Sequence, residues 1–393
     1  MSAHVLVAGG GIGGLCAAVA LARAGQSVDV LEQAPRFGEI GAGIQLGPNV
    51  TRRLNSLGLH DALAGVAARP DALVVRNAAD NAVLARMPLG DVILRKYGAP
   101  FLCVHRVELH GVLLATAHDM PLVTLTTDAR ISRVVTRGES VSVGASGARE
   151  WRGDGLVGAD GLWSIVRERV VASTLPPRPT GHTAWRALVP CDSLPVRLRS
   201  ADVQAWLGGQ LHAVVYPVRG GDWLSLVVIA ESEMTATDPS DWDQDSSAAA
   251  LLHAMGNRCD GVRPLIEAMP AWRAWTVNSR PPVAGPDEMV NERIALLGDA
   301  AHPMVPHLAQ GASMAIEDAV ALADCVGDCG PGSLPDAFAR YAAARWQRNA
   351  RVQAQAKRDE DLFHSSGTMR LARDAALRVL GARLLDAPWL YEG

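Results

Sequence analysis

A glycine loop and three carboxylates are the residues of this 393-residue chain whose types and spacing speak most directly of chemistry. Gly9, Gly11 and Gly14 fill the three fixed positions of G-x-G-x-x-G. The first glycine permits a tight turn, the second lets backbone approach a pyrophosphate, and the third lets a helix pack close to its strand. Glu32 follows 18 positions past Gly14, where a dinucleotide fold places the acid that holds a ribose hydroxyl. Asp160, in Gly158-Ala159-Asp160-Gly161, and Asp299, after Gly298, each end an apolar run. In an open α/β sheet, ligands bind beyond the carboxyl ends of the strands. A short acid there accepts from ribose or ribityl hydroxyls; its other reading is a helix cap or turn residue. Three such elements in this order point to FAD, held between distant parts of one chain.

The elements that would position these residues follow from hydrophobic pattern. His4 to Leu6 begin a strand, Leu15 to Ala24 an Ala-rich helix broken by Gly25, and Ser27 to Leu31 a second strand. The helix would aim free N–H groups and its positive dipole end at phosphates. Helices are expected from Pro48 to Leu57 and Arg106 to Ala117, with short strands at Leu73 to Val75 and Val83 to Met87. Residues 122–152 alternate and turn at Arg137-Gly138 and Ser146-Gly147, the pattern of a small antiparallel ribbon. Leu156 to Ala159 and Ile294 to Leu297 are the apolar strands that lead into Asp160 and Asp299. Between them lie strands at Trp185 to Pro190, Asp202 to Trp206, His212 to Pro217 and Trp223 to Ile229, then a helix from Ser246 to Met255. Helices at Ser313 to Val326, Pro335 to Lys357 and Thr368 to Leu385 complete the chain. The expected architecture is α/β. A discontinuous Rossmann-like FAD domain (1–70, 101–175 and 281–335) carries an inserted, mainly antiparallel substrate domain (71–100 and 176–280). Residues 336–393 form C-terminal helices.

Composition bounds the alternatives. Half of the residues are hydrophobic (49%) and 20% are charged, ample for a large core. The net charge of -4 without long runs of one sign argues against nucleic acid or an anionic membrane as partner. Residues 5–22 carry no charge, yet five glycines inside them are the wrong composition for a spanning or secretory segment. The six cysteines have no C-x-x-C pair and read as reduced thiols in a cytoplasmic protein; no metal site is expected. A second G-x-G-x-x-G, which a disulfide-reductase type of flavoenzyme needs for NAD(P)H, is absent, and so is the W-x-W-x-I-P signature of flavin halogenases.

With these motifs the chain resembles, over nearly its whole length, the single-component FAD-dependent aromatic hydroxylases. That group contains salicylate hydroxylase, 3-hydroxybenzoate 6-hydroxylase and 6-hydroxynicotinate 3-monooxygenase. The resemblance implies FAD contacts from Gly9, Gly11, Ile12, Gly13, Gly14 and Gln33, with Glu32 at the adenosine ribose. It further implies contacts from Gly43, from Arg106 in His105-Arg106-Val107-Glu108-Leu109, and from Asp160, whose segment through Arg167 looks like the family's D-G-x-x-S-x-x-R. Asp299 would face the ribityl chain, and Gly311 and Ala312, after Gln310, would set a helix N-terminus against the flavin's pyrimidine edge. A positive dipole end there stabilises negative charge on a reduced flavin.

The same resemblance locates the substrate. His212 and Tyr216 stand at i and i+4 of one strand and so point together. In the family this His-x-x-x-Tyr-Pro pair faces a bound phenol. A phenolate is a better nucleophile than a phenol toward a flavin C4a-hydroperoxide, and a base of near-neutral pKa supplies it. His212 is therefore the candidate base, Tyr216 a hydrogen-bonding orienter, and His307 a second candidate. Gln45, between permissive Gly41 and Gly43 and the Pro48 helix, would pass close to the flavin. Pro306-His307 ahead of Ala309-Gln310-Gly311 is similar to the hydroxynicotinate enzymes; the 3-hydroxybenzoate enzymes carry a Gln near that place. His302 is read as structural. The implied activity is hydroxylation of a small hydroxylated aromatic acid, 3-hydroxybenzoate or salicylate in type, with NADH or NADPH and O2. The alternatives are a hydroxypyridine acid, a larger natural product, or a flavin-binding sensor without turnover. A homodimer is expected from the family.

Overall fold

The computed structural model describes residues 2–38, 41–145, 149–171, 175–232, 241–256 and 259–392. Two sheets organise it. One has six strands in the order Val290–Asn291, Ile294–Leu296, Gly155–Gly158, His4–Ala8, Ser27–Leu31, Val123–Thr126. All its pairs are parallel except the first. The other has eight strands in the order Gln244–Ser246, Trp272–Ser279, Arg178–Pro190, Trp223–Glu231, Leu211–Val218, Val203–Gly208, Ala72–Asn77, Val83–Pro88. It is antiparallel save for one parallel joint, where Val203 pairs with Leu73 and Leu207 with Asn77.

The parallel sheet lies buried because its strands are apolar on both faces: Val5, Leu6, Val7, Leu156, Val157, Ala295 and Leu296 are all inaccessible. The Ile12–Arg23 helix is apolar nearly all round and is covered on several sides, by the sheet and by the Arg106–His118 and Gly311–Val326 helices. Its fully buried Leu15 and Leu21 each contribute about 2 kcal/mol. A second core lies between the eight-stranded sheet and the Ala248–Met255 and Arg263–Glu267 helices. The Leu390-Tyr391 end joins a third, with the Tyr391 ring edge-on to Tyr97 at 5.3 Å.

Three differences from the sequence reading have physical causes. Val123–Thr126 leaves the expected ribbon and forms the parallel sheet's edge, and only Ile131–Arg137, Ser140–Ala145 and Glu150–Gly153 make the antiparallel group. Val28 holds it there by donating to Leu122 O at 2.8 Å. Gly90–Tyr97, within a stretch read as strands and turns, is a helix ended by left-handed Gly98, the usual helix stop. The long C-terminal helix runs on from Lys357 to Phe363, through the polar residues 358–361 that hid its continuation. The expected turn at Ser146-Gly147 lies outside the described residues. Among the described residues, no helix is long and apolar enough to cross a membrane.

Candidate active site

The glycine loop, Asp160 and Asp299 meet at the carboxyl ends of three adjacent parallel strands, His4–Ala8, Gly155–Gly158 and Ile294–Leu296. Two glycines are obligatory there. Gly9 has φ +103° and a Cβ on it would stand 2.5 Å from Ala159 O; one on Gly14 would stand 1.9 Å from Gly9 O. Gly13 lies against Leu297 and Ala315, so the first motif touches the third. Gly11 caps the following helix without any side-chain hydrogen bond, and buried Ile12 begins that helix. Its first N–H groups thus face outward without a side-chain acceptor, the arrangement that binds phosphate. The Glu32 carboxylate accepts from Gly10 N at 2.7 Å and Ala34 N at 2.8 Å, tying the loop to the end of the second strand. Gln33 is exposed beside it.

Asp160 sits deep in its own turn. It accepts from Ser164 Oγ at 2.5 Å, Ile165 N at 2.9 Å and Val166 N at 3.2 Å. Burial raises its pKa, and these bonds oppose the rise. The turn in turn fixes Arg167, which donates to Ala300 O at 3.1 Å and Ala301 O at 2.7 Å. Asp160 therefore orders the segment that clasps the Asp299 motif. Asp299 itself is exposed. Crowding protein pushes its carboxyl above the ordinary range, against the pull of His302 and Arg106. Its Oδ1 lies 4.0 Å from where a side chain on Gly311 would begin. Gly311 starts the Gly311–Val326 helix, with half-buried Ala312 next, and no side chain caps that end.

A buried ionic cluster holds the Gly311–Val326 helix in place. Asp318 pairs with His302, with Arg345 at 2.8 Å and with Gly298 N at 3.2 Å. Glu317 pairs with Arg345 at 2.9 Å and Arg348 at 2.6 Å, and accepts from Asn49 at 2.8 Å. Burial works against both carboxylates, but the cations outweigh it and hold both below the usual range. His302 is thus buried within the cluster that anchors this helix.

On the second sheet, His212 and Tyr216 are buried on one face of the Leu211–Val218 strand. The His307 ring lies 4.7 Å from that of His212. It comes from the Pro306–Leu308 turn, followed by Ala309 in the left-handed region at φ +52°, a strained conformation for alanine. Pro306 is exposed and His307 buried. Burial and neighbouring imidazoles drive the His212 and His307 pKa values well down, so both rings are neutral at neutral pH. Tyr216 Oη donates to Gly43 O at 2.6 Å, and Ser225 Oγ accepts from Gly43 N at 2.9 Å. These bonds fasten the Gly43–Leu46 strand to the second sheet. Gln45 projects from the same face of that strand as Gly43. Arg106 N donates to Ala42 O at 3.1 Å, and its side chain packs over Gly41.

The sequence reading missed three members of the histidine group. His364 Nε2 is 2.8 Å from His212 Nδ1, His364 Nδ1 is 3.0 Å from His182 Nε2, and His182 Nδ1 is 2.9 Å from Glu360 Oε1. These partners lie 152 and 182 positions apart in sequence, and no spacing signals them.

Comparison with known proteins gives this geometry its context. The family model described as FAD binding domain matches residues 2–354. A 3-hydroxybenzoate 6-hydroxylase of Polaromonas naphthalenivorans (strain CJ2) is 37% identical over 390 residues, 98% of this chain and 95% of that protein. A 6-hydroxynicotinate 3-monooxygenase of Pseudomonas fluorescens is 35% identical over 354 residues, 90% of each. The solved structure of Klebsiella pneumoniae HpxO complexed with FAD and uric acid superimposes with a TM-score of 0.85 at 25% identity, covering 97% of this chain and 94% of that one.

Proposed function

The chain belongs to the FAD binding domain family, and from that premise we propose that it hydroxylates a small hydroxylated aromatic acid of the 3-hydroxybenzoate or salicylate type. It is an FAD-dependent monooxygenase with NAD(P)H and O2 as co-substrates. The observation that carries the substrate reading is the placement of His307. It stands beside His212 and only four residues ahead of Gly311, so one short segment carries both an imidazole and the helix end next to Asp299.

The residues present fit the cofactor. Gly9 and Gly14 pack too closely on backbone for any side chain, which keeps the turn tight, the Ile12–Arg23 helix end is uncapped, and exposed Asp299 offers its carboxylate to a hydroxylated chain. Glu32, Gln33, Gly43, Arg106 and Asp160 complete the proposed holding set. When bound, the flavin supplies the redox chemistry, taking two electrons from NAD(P)H and passing one atom of O2 to the ring. The protein's own task is the substrate's proton. A neutral, buried His212 takes the hydroxyl proton and so raises the ring's nucleophilicity. His307 is proposed to contact the same acid. Tyr216, whose proton is given to Gly43 O, orients the acid by holding the Gly43–Gln45 segment beside it. Pro306-His307 and the Pseudomonas relative also favour a second reading, a hydroxypyridine acid of the 6-hydroxynicotinate type.

The domain division read from the sequence is proposed in the same terms, supported by the separation of the two sheets. A cytoplasmic location is supported by six cysteines without a disulfide. A homodimer is supported by exposed Met369, Leu371, Val379 and Leu380 on the Gly367–Leu380 helix and by exposed Leu384.

The test is NADH and NADPH oxidation with O2 uptake by the purified yellow protein, against 3-hydroxybenzoate, salicylate and 6-hydroxynicotinate, with product identification. Stimulation with a hydroxylated product from one of them is expected; none from all three overturns the reading. His212→Ala should lower hydroxylation about 100-fold while leaving FAD content unchanged. Equal loss of both would make His212 structural.

A further inference from the structure

Buried imidazoles are costly unless their nitrogens are partnered, and a neutral imidazole donates with one nitrogen and accepts with the other. Those two rules fix the direction of the contacts that run from His212 inward. His182 Nδ1 faces two oxygens, Glu360 Oε1 at 2.9 Å and Thr180 Oγ1 at 3.3 Å. The carboxylate only accepts. The Thr180 hydroxyl has its single proton committed to Val277 O at 3.0 Å, so toward His182 it too only accepts. His182 Nδ1 therefore bears the proton, and its Nε2 carries the lone pair. That lone pair accepts from His364 Nδ1 at 3.0 Å, which leaves a lone pair on His364 Nε2. This in turn accepts from His212 Nδ1 at 2.8 Å. The lone pair left over is on His212 Nε2.

Resting on the hydroxylase reading, we propose that Glu360, His182 and His364 are positioning residues that lock His212 as an Nε2 base and relay the substrate's hydroxyl proton to the protein surface. The O–H bond of the substrate breaks as an N–H bond forms at His212 Nε2. The Nδ1 proton of His212 passes to His364 Nε2 and that of His364 Nδ1 to His182 Nε2, which leaves His182 protonated on both nitrogens and ion-paired with the Glu360 carboxylate at 2.9 Å. One proton enters at His212 Nε2 and one arrives at His182, whose positive charge the Glu360 carboxylate opposes. Glu360 is held in turn by Lys357 Nζ, 2.7 Å from its Oε2. The path opens to water at His182, whose side chain is 12% exposed. When the product's oxygen is reprotonated the proton returns by the same route, which restores every tautomer without a ring flip.

The surroundings suit this task. Glu360 stays ionised because His182 and Lys357 outweigh its burial, and burial with neighbouring charges keeps His212, His364 and His307 neutral. The other groups facing the file are Arg373, bound to Phe363 O at 2.6 Å and paired with Asp374, and the Phe363 ring, 5.6 Å from His212. His307 stands alongside with both ring nitrogens unpartnered among the described residues. One nitrogen each from His212, His307 and His364 lies within 4.8 Å of the others, a spacing that suits a metal ion. The 2.8 Å approach of His212 to His364 argues instead for a shared proton.

The experiment uses the FAD-loaded enzyme with the panel acid that gives turnover and a ring-fluorinated derivative of it, whose hydroxyl ionises unaided near neutral pH. Glu360→Gln and His364→Gln should each lower kcat about 100-fold on the parent acid, with flavin reduction by NADH and FAD content unchanged. The deficit should shrink at least tenfold with the fluorinated acid, and kcat on the parent should recover as pH rises. His182→Gln, nearer the surface, serves as the second variant should either of these fail to retain FAD. Equal deficits on both acids, or a wild-type rate in all three variants, overturns the relay while wild-type turnover leaves the hydroxylase reading standing. So does loss of activity on chelation with restoration by Zn2+, which would make the three histidines a metal centre. Absence of wild-type turnover instead removes the underlying reading.

Discussion

Two buried polar clusters share one helix and follow opposite rules. Near the middle of Leu334–Phe363, Arg345, Arg348 and Asn349 meet Glu317, Asp318 and His302. At its end, Glu360 and His364 meet His182 and His212, with His307 alongside. The first is built of carboxylates set against guanidiniums, and it anchors the helix whose N-terminus faces Asp299. The second is built of imidazole rings with a single carboxylate at the far end, and two nitrogens of His307 have no partner among the described residues. Charge fully matched in a low dielectric holds geometry. A group that must receive a proton needs the reverse, a neutral form favoured by burial and a vacancy at one nitrogen. Fifteen residues of helix, about 22 Å at 1.5 Å per residue, separate Arg345 from Glu360, so the two clusters are far enough apart to act independently.

The largest effect should come from breaking the charged cluster. Arg345→Met fills a similar volume but leaves Glu317 with Arg348 and Asp318 with His302 as their remaining partners. Removing one partner of a buried charge set costs about 3 kcal/mol or more, read as a fall of at least about 5 °C in Tm of the holoenzyme. FAD affinity should weaken with it, because the helix that abuts Asp299 loses its brace. Substrate acidity should have no influence on what activity is left. His364→Gln should show the converse, a small change in Tm and a large one in kcat, and the double variant should add the two. An Arg345→Met enzyme of unchanged Tm would remove the distinction between anchoring and poised clusters.

Acid should separate the clusters without any mutation. His212, His307 and His364 have folded pKa values depressed below the unfolded value. Between the two values the unfolded chain binds protons that the folded chain does not, so stability is full above about pH 6.5 and falls as pH drops below it. Glu317 and Asp318 are also depressed, and by the same sign argument their contribution is full above about pH 4 and falls only below it. Unfolding free energy should therefore begin to decline near pH 6.5, by about 1.4 kcal/mol per pH unit for each histidine involved. Urea denaturation from pH 7.5 to 5 checks this. His307→Gln should flatten the upper part of the curve, and an unchanged slope would mean that His307 is not held neutral by burial.

What was legible in the sequence divides along the same line. The cofactor side was readable because its glycines answer to backbone geometry within short windows: Gly9 and Gly14 are fixed by local clashes, and Asp160 and Asp299 by the strand ends that precede them. His212 and Tyr216 were readable as a pair because a strand places i and i+4 on one face. Their partners were not. His364 caps a helix that extends past its expected end, and His182 lies on a strand paired with Trp223–Glu231, where His182 stands opposite Glu231. Only the order of strands in the second sheet brings these residues together, and that order has no signature in local spacing. Tyr216 shows the remaining gap. The sequence puts its ring on the same strand face as His212 but says nothing of its proton, which goes to the backbone of Gly43, a residue 173 positions away.

That proton makes the smallest and sharpest test. Burial pushes the Tyr216 hydroxyl above its ordinary range, so it stays a donor at every working pH, and its acceptor is Gly43 O at 2.6 Å. Tyr216→Phe removes one hydrogen bond, about 1 kcal/mol, from the joint between the Gly43–Leu46 strand and the second sheet. Ser225 still binds Gly43 N at 2.9 Å, so the strand should loosen without detaching. The expected result is a several-fold rise in KM and a similar weakening of FAD binding, with kcat within a few-fold of wild type. A fall in kcat as large as that for His212→Ala would mean that the hydroxyl acts on the substrate itself. Tyr216 would then belong with the poised imidazoles and not with the groups that hold the backbone in place.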